Sequence, residues 1–178
     1  MDLTEKMISR KDLYDGLLCR VHVDEVLLPN GNTSRREVVD HVDGVAVLPL
    51  DERNNVLTVT QYRYVFGKTL LEIPAGKLDE GEDPVTGALR ELKEETGAVP
   101  DTLLPLGVIL PAPGCYGEKL HLFLAKNLHM EQQHLDPDEF LSVERIPFAE
   151  MVHRVMDGEI EDAKTVTAVL KAKILLNL

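Results

Sequence analysis

The stretch from Asp83 to Gly97 constrains this chain more than any other. Asp83 is a good helix N-cap, and Pro84 suits the first helical position. Val85, Ala88, Leu89 and Leu92 follow at i, i+3, i+4 and i+7, so they form one apolar stripe. Gly97 supplies the left-handed residue that ends a helix. The spacing therefore predicts a helix in the middle of a chain whose first half otherwise reads as strands. Leu17–Leu28 and Arg36–Val42, joined by the turn Pro29–Asn32, predict an antiparallel hairpin. Gly44–Leu50 is a short apolar run and predicts a buried strand. Val56–Tyr64, Leu70–Ala75, Leu103–Leu110, Lys119–Ala125 and Leu141–Ile146 predict further extended segments. Pro147–Asp157 and Asp162–Leu176 predict two later helices. That order fits an α+β fold on a mixed sheet, with an N-terminal antiparallel β-hairpin (residues 1–42) and a second segment (residues 43–178) around the central helix.

The 178 residues are 44% apolar, enough for one sizeable core. A net charge of −12 argues against a nucleic-acid groove or an anionic membrane surface as partner. With no Trp, four Tyr and four Phe, a platform of several base-stacking rings is excluded. Cys19 and Cys115 form no CxxC pair and are read as buried, reduced thiols. Met1–Arg10 has no apolar stretch of the kind a secretory leader carries, so a cytoplasmic location is expected. No run is apolar enough for a membrane span.

Chemistry concentrates on the central helix. Glu91, Glu94 and Glu95 fall within an arc of about 100°, away from the apolar stripe. Three like charges on one face repel one another, and taken alone they read as a solvated face. Their surroundings favour a cation site. A glycine-bearing acidic loop, Gly76–Glu82, feeds straight into the helix, and Arg90 adjoins the cluster. Clustered hard oxygen ligands suit Mg²⁺ or Mn²⁺.

Gly76, five residues, Glu82, seven residues, then Arg90-Glu91-Leu92-Lys93-Glu94-Glu95-Thr96-Gly97-Ala98 resembles the Nudix box at all seven of its fixed positions. Ala98 is smaller than the aliphatic residue usual at the end of the box. The resemblance implies an α/β/α Nudix sandwich, with the box as a metal-binding loop–helix–loop. It implies a hydrolase acting on a nucleoside diphosphate linked to another group. By position, Glu91 and Glu95 are implied as metal ligands, with Glu94 a third ligand or an acid/base group and the Ala75 carbonyl a further ligand. Arg90 is implied to hold the glutamates, and Glu82 to pin the loop.

Four further segments resemble the ADP-ribose pyrophosphatase subgroup: Gln61-Tyr62-Arg63, Arg35-Arg36-Glu37, Pro111-Ala-Pro-Gly114 followed by Glu118, and Asp162-Ala-Lys-Thr165. The subgroup implies substrate contacts from Arg36 and Arg63, for which cross-strand ion pairs are the plain alternative. Glu118 is implied as a contact for metal, water or substrate. The subgroup's base comes from an acidic loop, here Asp136-Pro137-Asp138-Glu139. Pro137 departs from the usual pattern, so the base is Glu139 first and Glu94 otherwise. The expected reaction is hydrolysis of ADP-ribose to AMP and ribose 5-phosphate. GDP-mannose or a modified NTP is the alternative substrate, and a non-catalytic nucleotide-sugar-binding module the more distant one. The subgroup also implies a homodimer through the N-terminal strands.

Overall fold

The computed structural model describes residues 2–137 and 139–177, so Asp138 of the acidic loop lies outside the described residues. The chain divides into two compact units, one up to Asp43 together with Leu110–Lys119, the other Gly44–Ile109 together with the residues from Leu120 onward.

The first unit is a three-stranded antiparallel sheet in the order β1 (Lys6–Asp15), β2 (Cys19–Leu27), β3 (Thr33–His41). The expected hairpin is β2–β3, closed at Pro29–Asn32 by Leu28 N–H donating to the Asn32 carbonyl at 2.8 Å. Gly31 supplies the positive φ of 86° that this turn needs. β1 was not legible, because all of its residues are exposed and no alternation marks it. It is held by its ladder to β2 and by Arg10, whose Nε and Nη2 donate to Asp24 at 2.8 and 2.9 Å. Residues 110–119 join this unit through Val39 N–H to the Cys115 carbonyl and Gly117 N–H to the Val39 carbonyl. Both cysteines are free, Cys115 exposed and Cys19 half-buried. The expectation of two buried thiols is therefore corrected: Cys115 sits on a surface loop and Cys19 at the first position of β2.

The second unit is built on β4 (Gly44–Leu50), buried along its whole length as a continuous apolar run requires. It lies parallel to β9 (Leu120–Met130) and antiparallel to β5 (Asn55–Arg63). Among the described residues the sheet order is β10 (Leu141–Pro147), β5, β4, β9, β8 (Ala98–Ile109). β6 (Lys68–Glu72) pairs with β5, and β7 (Ala75–Lys77) with β4.

Strand alternation sends side chains to two cores. Val45, Val47, Leu57, Phe123 and Ala125 pack with Ala88 and Leu92 of α1 (Pro84–Thr96). Ala46, Leu48, Leu50, Leu122 and Leu124 pack with α2 (Phe148–Met156) and α3 (Ala163–Leu176) on the other face. The result is the expected mixed α+β sandwich, with one helix against two.

α1 starts and stops as expected. Asp83 accepts from the N–H groups of Val85 and Thr86, and Gly97 ends it at φ 72°. Its orientation differs from the expected stripe. Val85 and Leu89 are 47% and 37% exposed, whereas Glu91 and Glu95 are 9% and 3% exposed. The helix rests on its Ala88–Leu92 ridge and turns two carboxylates inward.

Leu92→Ala should lower unfolding free energy by about 2–5 kcal/mol, since a fully buried leucine leaves a cavity. Val85→Ala should stay within about 0.5 kcal/mol. Urea midpoints of the two variants check the pair.

Candidate active site

The inward face of α1 meets the segment Glu72–Lys77. Ala75 N–H donates to Glu95 Oε2 at 3.0 Å. Gly76 lies directly over Glu91: a Cβ there would sit 1.9 Å from the Glu91 carboxyl carbon. A side chain at position 76 would push the Glu91 carboxylate from where it stands. Burial pushes Glu95 up to about 8, opposed by the Ala75 N–H and assisted by the charges of Glu91 and Glu139. Burial likewise raises Glu91, against the pull of Arg90.

Arg90 is the hub of the loop side. Its Nε and Nη2 form a fork with Glu82 at 3.0 and 2.8 Å, its Nη1 donates to Glu91 at 2.8 Å and Glu94 at 3.1 Å, and Nη2 also donates to the Lys77 carbonyl. The fork pulls Glu82 down to about 2 and raises Arg90 itself. The glycine loop and three glutamates are thus tied to one guanidinium.

The acidic loop is delivered by a strap across the end of α1. Glu131 N–H donates to the Gly97 carbonyl, His134 N–H to the Glu94 carbonyl, and the Gln133 side-chain amide to the Glu95 carbonyl. These bonds satisfy carbonyls that a helix end leaves open. Gly97 is needed twice here, for its left-handed φ and because a Cβ would lie 2.5 Å from the Glu131 carbonyl oxygen. Beyond the strap, Glu139 N–H closes a turn onto the Asp136 carbonyl, and its charge is felt at Glu91 and Glu95.

Ala75, Glu91, Glu94, Glu95 and Arg90 are therefore brought together, with Glu139 near enough to act on Glu91 and Glu95 electrostatically. Arg63 is engaged by its own partner: Nε and Nη2 donate to Glu72 at 2.7 Å each. Arg36 and Glu118 belong to the first unit. There Arg36 forks onto Glu5 at 2.9 and 2.5 Å, and Glu118 lies 3.8 Å from His41.

Sequence reasoning missed Glu72. It is 1% exposed and bonded by both Arg63 and Lys164, with Lys164 also on Asp162 at 2.9 Å. Burial would raise Glu72, but the hydrogen bonds and charges of the two cations outweigh it and hold it below its usual value. A lone acid ending the apolar run Leu70–Leu71 was the available signal.

The donor set fits a divalent cation. It offers hard carboxylates, two of them buried without a full counter-charge, against a glycine that leaves the space open. Among the described residues no three His, Cys, Asp or Glu side chains enclose an ion by themselves. Mg²⁺ usually takes only one or two carboxylates and keeps several waters.

The metal-free protein should show the cost of Glu95. A carboxyl raised to about 8 keeps its proton in the fold while the unfolded chain loses it near 4.5. Its contribution is thus intact below about pH 4.5 and is lost as pH rises toward 8. Glu95→Gln should stabilise the chelated protein by about 2–4 kcal/mol at pH 8 and by less than about 1 kcal/mol near pH 5. Urea unfolding at the two pH values with EDTA present measures this; equal effects would contradict it.

The model of the NUDIX domain matches residues 40–169, and that of the nucleoside diphosphate sugar hydrolase N-terminal domain matches residues 5–39. The chain is 39% identical over 169 residues to an ADP-ribose pyrophosphatase of Bacillus subtilis (strain 168), covering 94% of this chain and 91% of that one. It is 41% identical over 167 residues to a methanol dehydrogenase activator of Bacillus methanolicus, covering 93% and 90%. A solved structure titled as an ADP compounds hydrolase superposes with a TM-score of 0.88 at 23% identity, covering 99% of this chain and 97% of that one, and so shares the fold. With its seven box positions filled and its carboxylate helix docked on the glycine loop, the chain belongs to the Nudix hydrolase family.

Proposed function

We propose that this Nudix hydrolase cleaves the pyrophosphate of ADP-ribose, or of a closely related nucleoside diphosphate sugar, giving AMP and ribose 5-phosphate from ADP-ribose. One observation carries it: Glu91 and Glu95 are buried against Ala75 and Gly76, a cation seat at the end of a glycine loop. The activity named for the Bacillus subtilis relative, and the match to a nucleoside diphosphate sugar hydrolase N-terminal domain, support the substrate class.

Glu91, Glu95, Glu94 and the Ala75 carbonyl would hold Mg²⁺ or Mn²⁺. When bound, the metal offsets phosphate charge and lowers the pKa of a coordinated water. Arg90 keeps the carboxylates and the loop in register. Glu139 accepts the proton of the attacking water, with Glu94 as the alternative. The exposed edge of the Arg63 guanidinium contacts a phosphate while Glu72 fixes its plane. The free thiols Cys19 and Cys115 fit a reducing cytoplasm. The active species is a homodimer, because β1 exposes Met7, Ile8, Leu13 and Tyr14 on a strand edge. Sedimentation equilibrium should return twice the chain mass, and a monomer would contradict it.

A panel of ADP-ribose, GDP-mannose, ADP-glucose, NADH and NTPs, with Mg²⁺ or Mn²⁺ and product identification, tests the substrate. ADP-ribose should give the highest kcat/KM; a better NTP would overturn the class. Glu95→Gln should lower kcat at least about 100-fold. Glu139→Gln should lower kcat about 100-fold with KM within about twofold. An unchanged kcat moves the base to Glu94.

A further inference from the structure

The segment carrying Ala75 changes partners on its way to the site. Up to Glu72 it pairs with β5, and from Ala75 it pairs with β4. The two residues between, Ile73 and Pro74, cannot be served by both ladders. Pro74 has no N–H, and its carbonyl takes Val47 N–H at 2.9 Å. Ile73 is fully buried, so its N–H needs a partner.

That partner comes from the opposite face of the sheet. Ile73 N–H donates to Thr165 Oγ1 at 2.9 Å, and Thr165 is itself fully buried. The Thr165 hydroxyl proton goes to Asp162 Oδ2 at 2.5 Å, and Thr165 N–H donates to the same oxygen at 3.0 Å. Asp162 is the N-cap of α3, so helix cap and strand clamp are one hydrogen-bonded unit. Lys164, between them, reaches Glu72 on the residue before Ile73. The first turn of α3 thus fixes Glu72 and Ile73, three and two residues before Ala75, whose N–H meets Glu95.

We propose that the Thr165 hydroxyl, oriented by Asp162, is a positioning residue for the metal site: by holding Ile73 it sets the Ala75 peptide against Glu95 and so sets divalent-metal affinity. This rests on the metal seat proposed above. Thr165 touches neither metal nor substrate; it acts through Ile73, Pro74 and Ala75, the link from β6 into β7.

The test is Mn²⁺ binding to the chelated full-length protein without substrate, followed by electron paramagnetic resonance of the free ion. Thr165→Val keeps the shape and removes the hydroxyl. It should weaken Mn²⁺ binding about tenfold or more, in the range outer-shell partners of metal ligands command. Thr165→Ser restores the hydroxyl and should stay within about twofold. Asp162→Ala, which leaves the hydroxyl unoriented, should weaken binding about threefold, and it carries the test if Thr165→Val fails to fold. Amide exchange at Ala75 should rise in Thr165→Val. Folded Thr165→Val with wild-type Mn²⁺ affinity overturns the proposal, as does a Thr165→Ser variant as weak as Thr165→Val. A wild-type protein that binds no Mn²⁺ overturns the metal seat and the clamp together, whereas the other outcomes leave the seat standing.

Discussion

Two glutamates are turned into the protein, and the surrounding residues are arranged around that cost. A buried carboxylate loses its hydration, and among the described residues Ala75 N–H is what donates to Glu95 to offset it. Arg90 does not neutralise the pair. Its fork is spent mainly on Glu82, and only Nη1 reaches Glu91 and Glu94. Arg90 therefore works as a fastener between loop and helix, leaving negative charge in excess. Gly76 completes the arrangement by giving up its side chain to the Glu91 carboxylate. An excess of buried negative charge beside an open glycine is stable only with a proton or a metal cation, and the rise of Glu95 to about 8 is the proton's version of that requirement.

The neighbouring buried cluster is built on the opposite principle. Glu72 meets both Arg63 and Lys164, and Lys164 also meets Asp162. Such a network adds little net stability over apolar packing, because each charge was desolvated to form it. It does fix direction. Arg63 is held in plane by a bidentate pair, and the strand leading to Ala75 cannot slide without breaking it. The field of the cluster also reaches the site, where the charge of Lys164 partly opposes the rise of Glu95.

Local signals made the helix boundaries legible. Asp83, Pro84 and Gly97 act within one turn of themselves, and Asp162 caps α3 in the same way. Gly44–Leu50 was legible because a strand covered on both faces must be apolar throughout. The rotation of α1 was not legible. Periodicity assigned Val85 and Leu89 to the core, but the helix follows the demand of the carboxylates for Gly76 and Ala75, which depends on a strand outside the helix. β1 escaped for a related reason, since a strand exposed on both faces has no burial pattern to imprint. The pairs Glu72–Lys164 and Ile73–Thr165 were invisible in sequence because each bond spans 92 residues of chain.

The charge of −12 first counts against any polyanionic partner, and the geometry divides that statement in two. Between Gly76 and Ala98, seven acids stand against three bases, a local charge of −4. Arg90 is committed to those acids, so this segment presents no free cationic fork to a phosphate chain. A nucleic acid needs many cations along a groove. A single pyrophosphate needs only a short positive seat, and a divalent ion held on Glu91 and Glu95 would reverse the local sign over that distance. The acidity that would repel a long polyanion is then what would gather the cations for a short one.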